Sequence, residues 1–251
     1  MEHYGVRGVV LKWFSSYLFN RKQFISLDGI ESSMADIKCG VPQGSILGPL
    51  LFLLYINDLM LVSSKLKNIM FADDTNLFLT GNSMNVIEQQ LNHELTLVNT
   101  WFQANLLSLN AKKTSYMIFG RKKNLTANIV IDNSLLSRQY DTKFLGVILS
   151  ANLKWNKHID IVTNKMSKNI GIIAKVRHLL PTHLTRNLYF TMVHPYVSYC
   201  NLVWASPNKA PQLDRVLKIQ KRFCRLITFS KYTDHSRPLF VSLSILTVYD
   251  T

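Results

Sequence analysis

Cysteine is scarce in this chain of 251 residues, which contains only Cys39, Cys200 and Cys224. Three scattered cysteines cannot form a disulfide framework, and none of them belongs to a Cys-X-X-Cys pair of the kind that binds zinc. The composition therefore speaks against a disulfide-stabilised secreted fold and against a zinc site. A reducing, intracellular compartment is expected, and the nucleus and the cytoplasm fit equally well.

Long apolar runs are missing as well. The longest one covers residues 47–56, and Gly48 and Pro49 interrupt it. A membrane-spanning helix needs about 20 consecutive apolar residues. The initial stretch, MEHYG, shows neither the basic nor the apolar region of a signal peptide. We therefore expect a soluble chain with no membrane partner.

Acidic residues are in the minority, since 15 Asp and Glu stand against 29 Lys and Arg and leave a net charge of +14. The excess of positive charge is unevenly distributed. Residues 1–125 contain 12 basic and 9 acidic residues, whereas residues 126–251 contain 17 basic and 6 acidic residues. The hydrophobic content of 47% is enough for a core, so wholesale disorder is excluded. The charge favours a polyanionic partner such as nucleic acid, although an ordinary basic protein would have the same composition.

The distribution of apolar residues divides the chain near residue 150. Before this point helices alternate with short strands, and after Trp155 the pattern is nearly all helical. The predicted helices cover residues 9–19, 47–61 and 84–104, a hairpin covers residues 69–79, and strands cover residues 24–27, 115–119, 129–131 and 144–149. The length suits one large domain or two small ones.

Two helices of the second part carry separate apolar and basic faces. Apolar residues recur at steps of three or four from Trp155 to Ile173, and others line one side of residues 211–229. Such basic faces fit the phosphates of a nucleic acid, and they also fit ordinary solvated helices. The basic residues are Lys154, Lys157, Lys165, Lys168 and Lys175 on the first helix and Arg215, Lys218, Arg222 and Arg225 on the second.

Asp73 and Asp74 stand together where the two apolar runs of the predicted hairpin meet. Adjacent carboxylates repel each other unless a cation joins them. Their hard oxygens suit Mg²⁺, and two such ions can clamp the attacking and leaving oxygens of a phosphoryl transfer. The same pair also fits a plain turn, because aspartate is a favoured turn residue.

A resemblance to a known family links this pair to other motifs. FADD at residues 71–74 follows GVPQGSILGPLLF at residues 40–52, and the combination resembles the reverse transcriptases of non-long-terminal-repeat retrotransposons, the jockey-like elements in particular. The likeness continues through LSLNAKKT at residues 107–114, FLGV at residues 144–147 and the helical segment to about residue 240.

This resemblance implies an α+β fold in two parts. Residues 1–150 would be a partial right-hand polymerase palm, in which helices pack on an antiparallel sheet. Residues 151–251 would be an all-helical thumb followed by the start of a truncated C-terminal region.

The resemblance assigns the chemistry to three side chains. Asp73 would be the principal metal-binding carboxylate and Asp74 its neighbour, both catalytic and both candidate Mg²⁺ ligands. Lys113 would place a cation near the leaving pyrophosphate and act as a general acid. A solvated loop lysine would look the same in the sequence.

Nucleic-acid contacts are implied for three further sets of residues. The loop before the second predicted helix would lie beside the nascent base pair, where a glycine lets the backbone come close or merely opens the helix. A hairpin would grip the primer end, although an ordinary buried strand has the same pattern. The two basic helices would follow the duplex through its phosphates. The loop residues are Pro42, Gln43, Gly44 and Ser45, and the primer-grip residues are Phe144, Leu145 and Gly146.

The implied function is an RNA-directed DNA polymerase that copies RNA into DNA by two-metal phosphoryl transfer with Mg²⁺. Its partners would be an RNA template, a DNA primer and deoxynucleoside triphosphates. In the family an Ala-Phe-Asp segment supplies a further carboxylate, and this chain begins with a stretch that resembles the one after that segment. We therefore expect a fragment without the first catalytic aspartate and the fingers, with little or no activity alone.

Three other interpretations stay open at this level. A non-catalytic, nucleic-acid-binding remnant of a decayed element would keep the basic helices without the chemistry. A decayed sequence whose sheet had lost strands would unfold without cooperativity. Intron-encoded and telomere-extending reverse transcriptases are alternatives within the polymerase class, although the match after residue 150 favours the retrotransposon group.

Overall fold

A computed structural model describes residues 1–37, 40–42, 44–120, 125–205 and 210–251 of the chain. These residues pack into two compact units, Met1–Leu109 and Asn110–Thr251. The division by packing falls earlier in the chain than the domain boundary expected near residue 150, which stays a prediction.

The described part of the first unit combines three α-helices with three short antiparallel strand pairs. Its helices are α1 (Gly8–Leu18), α2 (Gly48–Ile56) and α3 (Met84–Ala104), with 3-10 turns at Glu2–Tyr4 and Asn57–Leu61. Its strands are β1 (Lys22–Gln23), β2 (Ser26–Leu27), β3 (Ile30–Glu31), β4 (Ala35–Asp36), β5 (Lys67–Phe71) and β6 (Asp74–Phe78). The pairs are β1 with β4, β2 with β3, and β5 with β6.

Most of the local predictions for this unit are confirmed. Helices lie close to residues 9–19 and 84–104, and the hairpin expected over residues 69–79 is present and spans residues 67–78. The helix predicted over residues 47–61 is α-helical only to Ile56 and continues as a 3-10 turn. Apolar periodicity and turn signals are local features, which is why these elements could be read from the sequence.

The core of the first unit joins α2, the β5–β6 hairpin and α3. Its buried members are Ile56, Leu59, Leu66 and Val98. Phe52 of α2, Met70 and Leu77 of the hairpin, and Leu91, Trp101 and Phe102 of α3 are half-buried against them. One shared core therefore holds α2 and the hairpin in a fixed relation.

The second unit begins with short strands and continues with helices. Its strands are β7 (Ser115–Tyr116), β8 (Val130–Ile131), β9 (Ser134–Leu135), β10 (Ser137–Arg138), β11 (Asp141–Phe144) and β12 (Val147–Ser150). Its helices are α4 (Asn156–Val176), α5 (Thr182–Met192), α6 (His194–Ser198), α7 (Asn201–Trp204), α8 (Ala210–Ile227) and α9 (Ser236–Ser242). β8 pairs with β9 and β11 with β12 in antiparallel register, and β7 pairs with β10 in parallel.

The strand predictions need correction in several places. The strand expected over residues 115–119 is confined to Ser115–Tyr116, and the strand expected over residues 24–27 is confined to Ser26–Leu27. The continuous strand expected over residues 144–149 is wrong, because a turn separates Phe144 from Val147 and makes two strands of it. The described strands form separate two-stranded pairs rather than the larger antiparallel sheet expected of a palm. Most of these strands have two residues, which is below the usual strand length of about three to ten residues.

The main core of the second unit lies between α4 and α8. The apolar face predicted from Trp155 to Ile173 is buried throughout, which confirms the helical periodicity. On α8 the predicted buried side is confirmed, with Leu217 half-buried at its margin. Arg215 pairs with Asp160 near the start of both helices. Arg177, just after the end of α4, donates to the carbonyl of Leu226 at the end of α8, so the two helices run side by side in the same direction.

A buried polar residue ties the chain after α9 to this core. Gln220 of α8 is fully buried, and its Nε2 donates to the hydroxyl of Tyr189 at 2.8 Å and to the carbonyl of Leu246 at 3.1 Å. Its Oε1 accepts the backbone N–H of Val248 at 2.9 Å. Burial raises the pKa of Tyr189 to about 12, so its hydroxyl stays protonated. No helix in the described parts of the chain combines the length and the apolarity that a bilayer span requires.

Candidate functional site

Asp73 and Asp74 lie at the tip of the β5–β6 hairpin. Phe71 pairs with Asp74 at the end of the ladder, so Ala72 and Asp73 are the two turn residues. Ala72 has a φ of 51°, the left-handed conformation that the first residue of such a turn adopts. Because Met70, two residues before Ala72, packs on the core, the tip is fixed relative to the rest of the first unit.

The surroundings of these two carboxylates suit a cation. Both side chains are exposed, and neither forms a hydrogen bond or an ion pair with another residue in the described part of the chain. Mg²⁺ at nucleotide sites takes one or two carboxylates and completes its shell with waters and phosphate oxygens. The pair fits an ion bound in that way. The described residues contain no group of three or more His, Cys, Asp or Glu side chains that could hold a metal unaided.

The loop before α2 belongs to the same unit as the hairpin. The N–H of Ser45 donates to the carbonyl of Pro42 at 3.2 Å, and the Ser45 Oγ accepts the N–H of Gly48 at 3.0 Å. Gly44 has a φ of 80° and nothing within 4 Å of the position of a Cβ. This turn therefore requires a glycine and leaves its backbone open to the solvent side. Gln43 lies outside the described residues.

Lys113 lies in the second unit, on a loop as expected. Its backbone N–H donates to the carbonyl of Asn110 at 3.0 Å and to Asn110 Oδ1 at 3.2 Å. Its side chain is exposed, so the loop orders the backbone and leaves the ammonium group in solvent. The role of Lys113 as a general acid stays a prediction.

Phe144, Leu145 and Gly146 lie at the turn of the β11–β12 hairpin. Leu145 and Gly146 have φ values of 44° and 88°, and they form the two-residue turn between Phe144 and Val147. The hydroxyl of Tyr199 donates to the carbonyl of Leu145 at 2.6 Å. Tyr199 follows the turn by 54 residues and carries no motif of its own, so the sequence pattern does not single it out.

His158 joins the same hairpin to α4. Its Nδ1 accepts the backbone N–H of Ile148 at 3.3 Å, and its ring lies edge-on to those of Trp155 and Trp204. Burial lowers the pKa of His158, and the positive charge of Lys165 acts in the same direction. A histidine on the apolar face of a helix is more often a core residue than a ligand, and here it is a buried acceptor for the hairpin.

Protonation of His158 should make stability depend on pH. The unfolded histidine binds a proton near pH 6.5, whereas the folded one does so only at lower pH. The unfolded state therefore holds more protons just below pH 6.5, and the free energy of unfolding should fall as the pH drops from about 7 through this range. Urea unfolding at several pH values should show this slope in the wild type and a reduced slope in His158→Asn. The exposed His178→Asn serves as control, and equal slopes in all three proteins would contradict the assignment.

Several residues of the predicted basic stripes are engaged within the protein. Lys157 pairs with Asp141, and this ammonium group, followed by the Ser150 hydroxyl, lowers the pKa of the Asp141 carboxyl. Lys165 Nζ lies 5.3 Å from the centre of the Tyr196 ring. Arg215 Nη1 lies 2.5 Å from Asp160 Oδ1, and Arg225 donates through Nε and Nη2 to the carbonyl of Asp234 at 3.1 and 2.9 Å.

The other predicted cations of these helices remain available for a ligand. Their side chains are exposed and form no ion pair or hydrogen bond with another residue in the described ranges. Because α4 and α8 run side by side in the same direction, the basic stripe of one helix is parallel to that of the other. The available cations are Lys168 and Lys175 of α4, Lys218 and Arg222 of α8, and Lys154, which lies just before the start of α4 and not on the helix as predicted.

Comparison with known proteins decides which family these motifs belong to. Residues 1–149 match the family model of the reverse transcriptase (RNA-dependent DNA polymerase). This chain belongs to the reverse transcriptase family. The matched region contains the Asp73–Asp74 hairpin, the loop before α2 and the Phe144–Gly146 turn. The comparison establishes the family, and the roles of the individual residues stay predictions.

Curated relatives extend the similarity of this reverse transcriptase chain over nearly its whole length. It is 28% identical to the probable RNA-directed DNA polymerase from transposon BS of Drosophila melanogaster, over 98% of this chain and 28% of that protein. It is 26% identical to the probable RNA-directed DNA polymerase from transposon X-element of the same organism, over 94% of this chain and 26% of that protein. It is 24% identical to the RNA-directed DNA polymerase from mobile element jockey of Drosophila funebris, over 94% of this chain and 27% of that protein.

These relatives support the non-long-terminal-repeat, jockey-like group expected from the motifs. The chain spans roughly a quarter of the length of these relatives, since the matched regions cover 26 to 28% of each of them. No solved structure matches the chain.

Proposed function

We propose that this chain is the palm and thumb part of an RNA-directed DNA polymerase that copies the RNA of a retrotransposon into DNA. The observation that carries the proposal is the pair of exposed carboxylates on a fixed hairpin tip, in the same packed unit as the loop of residues 42–45. In this assignment residues 1–150 form the palm and residues 151–251 begin with the thumb. The partners are an RNA template, a DNA primer and deoxynucleoside triphosphates.

Asp73 and Asp74 would hold Mg²⁺ together with phosphate oxygens of the substrate. When bound, the metal neutralises the charge on the phosphates and favours attack by the primer hydroxyl. No protein partner in the described chain competes with the metal for these two carboxylates. Asp73 on the turn and Asp74 at the start of β6 place two negative charges next to each other at the tip of the hairpin.

The loop of residues 42–45 would contact the nascent base pair. It enters α2, and α2 shares a core with the hairpin that carries Asp73. A nucleotide held against the loop would therefore stay at a constant position relative to the carboxylates. The open side of Gly44 would admit the substrate close to the main chain.

The basic helices α4 and α8 would follow the template–primer duplex. The five available cations on these helices and just before α4 can neutralise phosphates without reading bases, as a polymerase that copies any sequence requires. Binding of this kind releases counterions and weakens steeply as salt rises.

Substitution of Asp73 tests the metal role. Mn²⁺, which replaces Mg²⁺ and is detectable by electron paramagnetic resonance, is titrated into the chain with an RNA–DNA primer–template and a non-hydrolysable deoxynucleotide. Asp73→Asn should weaken Mn²⁺ binding by at least about tenfold, because changes beyond the direct ligands of a metal already cost about 10- to 100-fold. Asp28→Asn is the matched control, since Asp28 is an exposed aspartate at another two-residue hairpin turn of the same unit.

The outcome also separates the competing interpretations. Duplex binding together with equal Mn²⁺ affinities of wild type and Asp73→Asn would contradict the catalytic assignment and favour a non-catalytic nucleic-acid-binding remnant. Primer extension with Mg²⁺ and the same variants measures the chemistry separately. Robust extension that requires Asp73 would show that the chain polymerises alone, contrary to the low activity expected from its sequence.

A further inference from the structure

The turn of the β11–β12 hairpin has a backbone conformation that one of its two residues, Leu145, does not favour. Leu145 and Gly146 both have positive φ, at 44° and 88°. Two-residue turns with this conformation are usually built from asparagine, aspartate or glycine. A leucine is disfavoured in the left-handed region because its Cβ approaches the following carbonyl. Contacts from elsewhere in the unit therefore have to hold Leu145 in place.

Tyr199 supplies such a contact from the segment between α6 and α7. Its hydroxyl donates to the carbonyl of Leu145 at 2.6 Å. A Cβ added to Gly146 would lie 3.1 Å from Tyr199 Cε1, so the aromatic ring rests directly on the turn. Tyr199 is 52% exposed, so it contributes little to the core, and the turn is its distinctive contact.

The position of Tyr199 is itself determined by buried residues. Its carbonyl accepts the indole N–H of Trp204 at 2.8 Å, and Trp204 is fully buried. The ring of Trp204 lies edge-on to His158, whose Nδ1 accepts the N–H of Ile148 on the same hairpin. The hairpin is therefore attached to the helical part by three polar contacts between described residues: at the turn itself, at the second residue of β12, and at Asp141 at the start of β11, which pairs with Lys157 of α4.

These attachments matter because the hairpin has no other strand beside it among the described residues. An isolated two-stranded hairpin is only marginally stable in water. Its placement thus depends on the helices and on the burial of Val147 rather than on a sheet.

We propose that Tyr199 is a positioning residue, which holds the Phe144–Gly146 turn in the position where it contacts the end of the primer. The inference rests on the proposed function, in which this turn grips the primer. Reacting groups must be held within a fraction of an ångström of their productive geometry. Because the Tyr199 hydroxyl fixes the Leu145 carbonyl, it affects the position of the primer end without touching the primer.

Tyr199→Phe tests this role because it removes the hydroxyl and keeps the ring. Loss of one neutral hydrogen bond should speed the amide exchange of Val147 by about two- to tenfold. The preference of the chain for a duplex with a recessed primer end over a blunt duplex of equal length should fall by a similar factor. Overall duplex affinity should not change, since the phosphate contacts of α4 and α8 remain.

Tyr140→Phe is the matched control. Tyr140 is an exposed tyrosine just before β11, and its hydroxyl has no partner in the described chain. It should leave both the Val147 exchange and the end preference unchanged. A general loss of stability would speed the Val147 exchange in both variants, or it would lower the affinity for the recessed and the blunt duplex equally.

Each result bears on the inference. Unchanged Val147 exchange in Tyr199→Phe would overturn the idea that the hydroxyl holds the turn, whatever the chain binds. Faster exchange with an intact end preference would overturn the positioning role while the proposed function stands. A wild-type chain with no preference for recessed ends would overturn the primer-gripping function of the turn, and the positioning role with it.

Discussion

Trp204→Ala should destabilise the second unit by about 3–5 kcal/mol, the usual range for removing a buried aromatic side chain. Trp204 is fully buried in the core formed with α4 and α8. The substitution leaves a cavity beside His158 and removes the indole N–H that pairs with the Tyr199 carbonyl. Natural domains have about 5–15 kcal/mol of stability, so the loss would be a large share of the total.

Urea unfolding followed by tryptophan fluorescence and circular dichroism measures this effect. Trp13→Ala is the matched control, because Trp13 is 53% exposed on α1, which has no buried residue. It should change the free energy of unfolding by about 0.5 kcal/mol or less. Similar losses in the two variants would contradict the assignment of Trp204 to a closely packed core.

Neutralising three available cations of the basic helices should weaken duplex binding by about a hundredfold at physiological salt. The variant is Lys168→Gln, Lys218→Gln and Arg222→Gln, whose parent side chains are exposed and free of protein partners in the described ranges. Each phosphate contact contributes about 0.9 to the slope of log K against log salt. The slope should therefore become shallower by up to about 2.7.

A charge-matched variant separates this local effect from net charge. Arg7→Gln, Lys12→Gln and Lys22→Gln remove three exposed cations of the first unit and lower the total charge equally. Fluorescence anisotropy with an RNA–DNA duplex at several salt concentrations should show a much smaller change of slope for this control. Equal losses in both variants would show that the duplex responds to overall charge and does not follow α4 and α8.

The elements that could be read from the sequence are those whose signals are local. The apolar steps from Trp155 to Ile173 describe one buried helix face, and that face is buried in full. The two apolar runs around Asp73 describe a hairpin, and the turn falls where they meet. Helical periodicity and turn chemistry act over a few residues, so they leave a pattern in the chain itself.

The residue pattern did not show the hairpin at Phe144–Gly146, which only the resemblance to the family implied. A leucine at the first turn position carries no turn signal, and residues 144–149 have the composition of a continuous strand. The turn forms with a contact from Tyr199, 54 residues further along the chain. A bond over that separation depends on how α6, α7 and α4 pack, and no local pattern records it.

The same distinction applies to the candidate site. The motifs at residues 40–52 and 71–74 were enough to indicate a reverse transcriptase through their resemblance to that family, which the family match over residues 1–149 confirms. Composition and periodicity also placed the basic stripes on two helices. They could not show which cations are available, because pairing with Asp141 or Asp160 depends on folding. Family and local structure follow from short-range order in the chain, whereas the supports of the hairpin and the availability of each charge arise only when distant segments pack together.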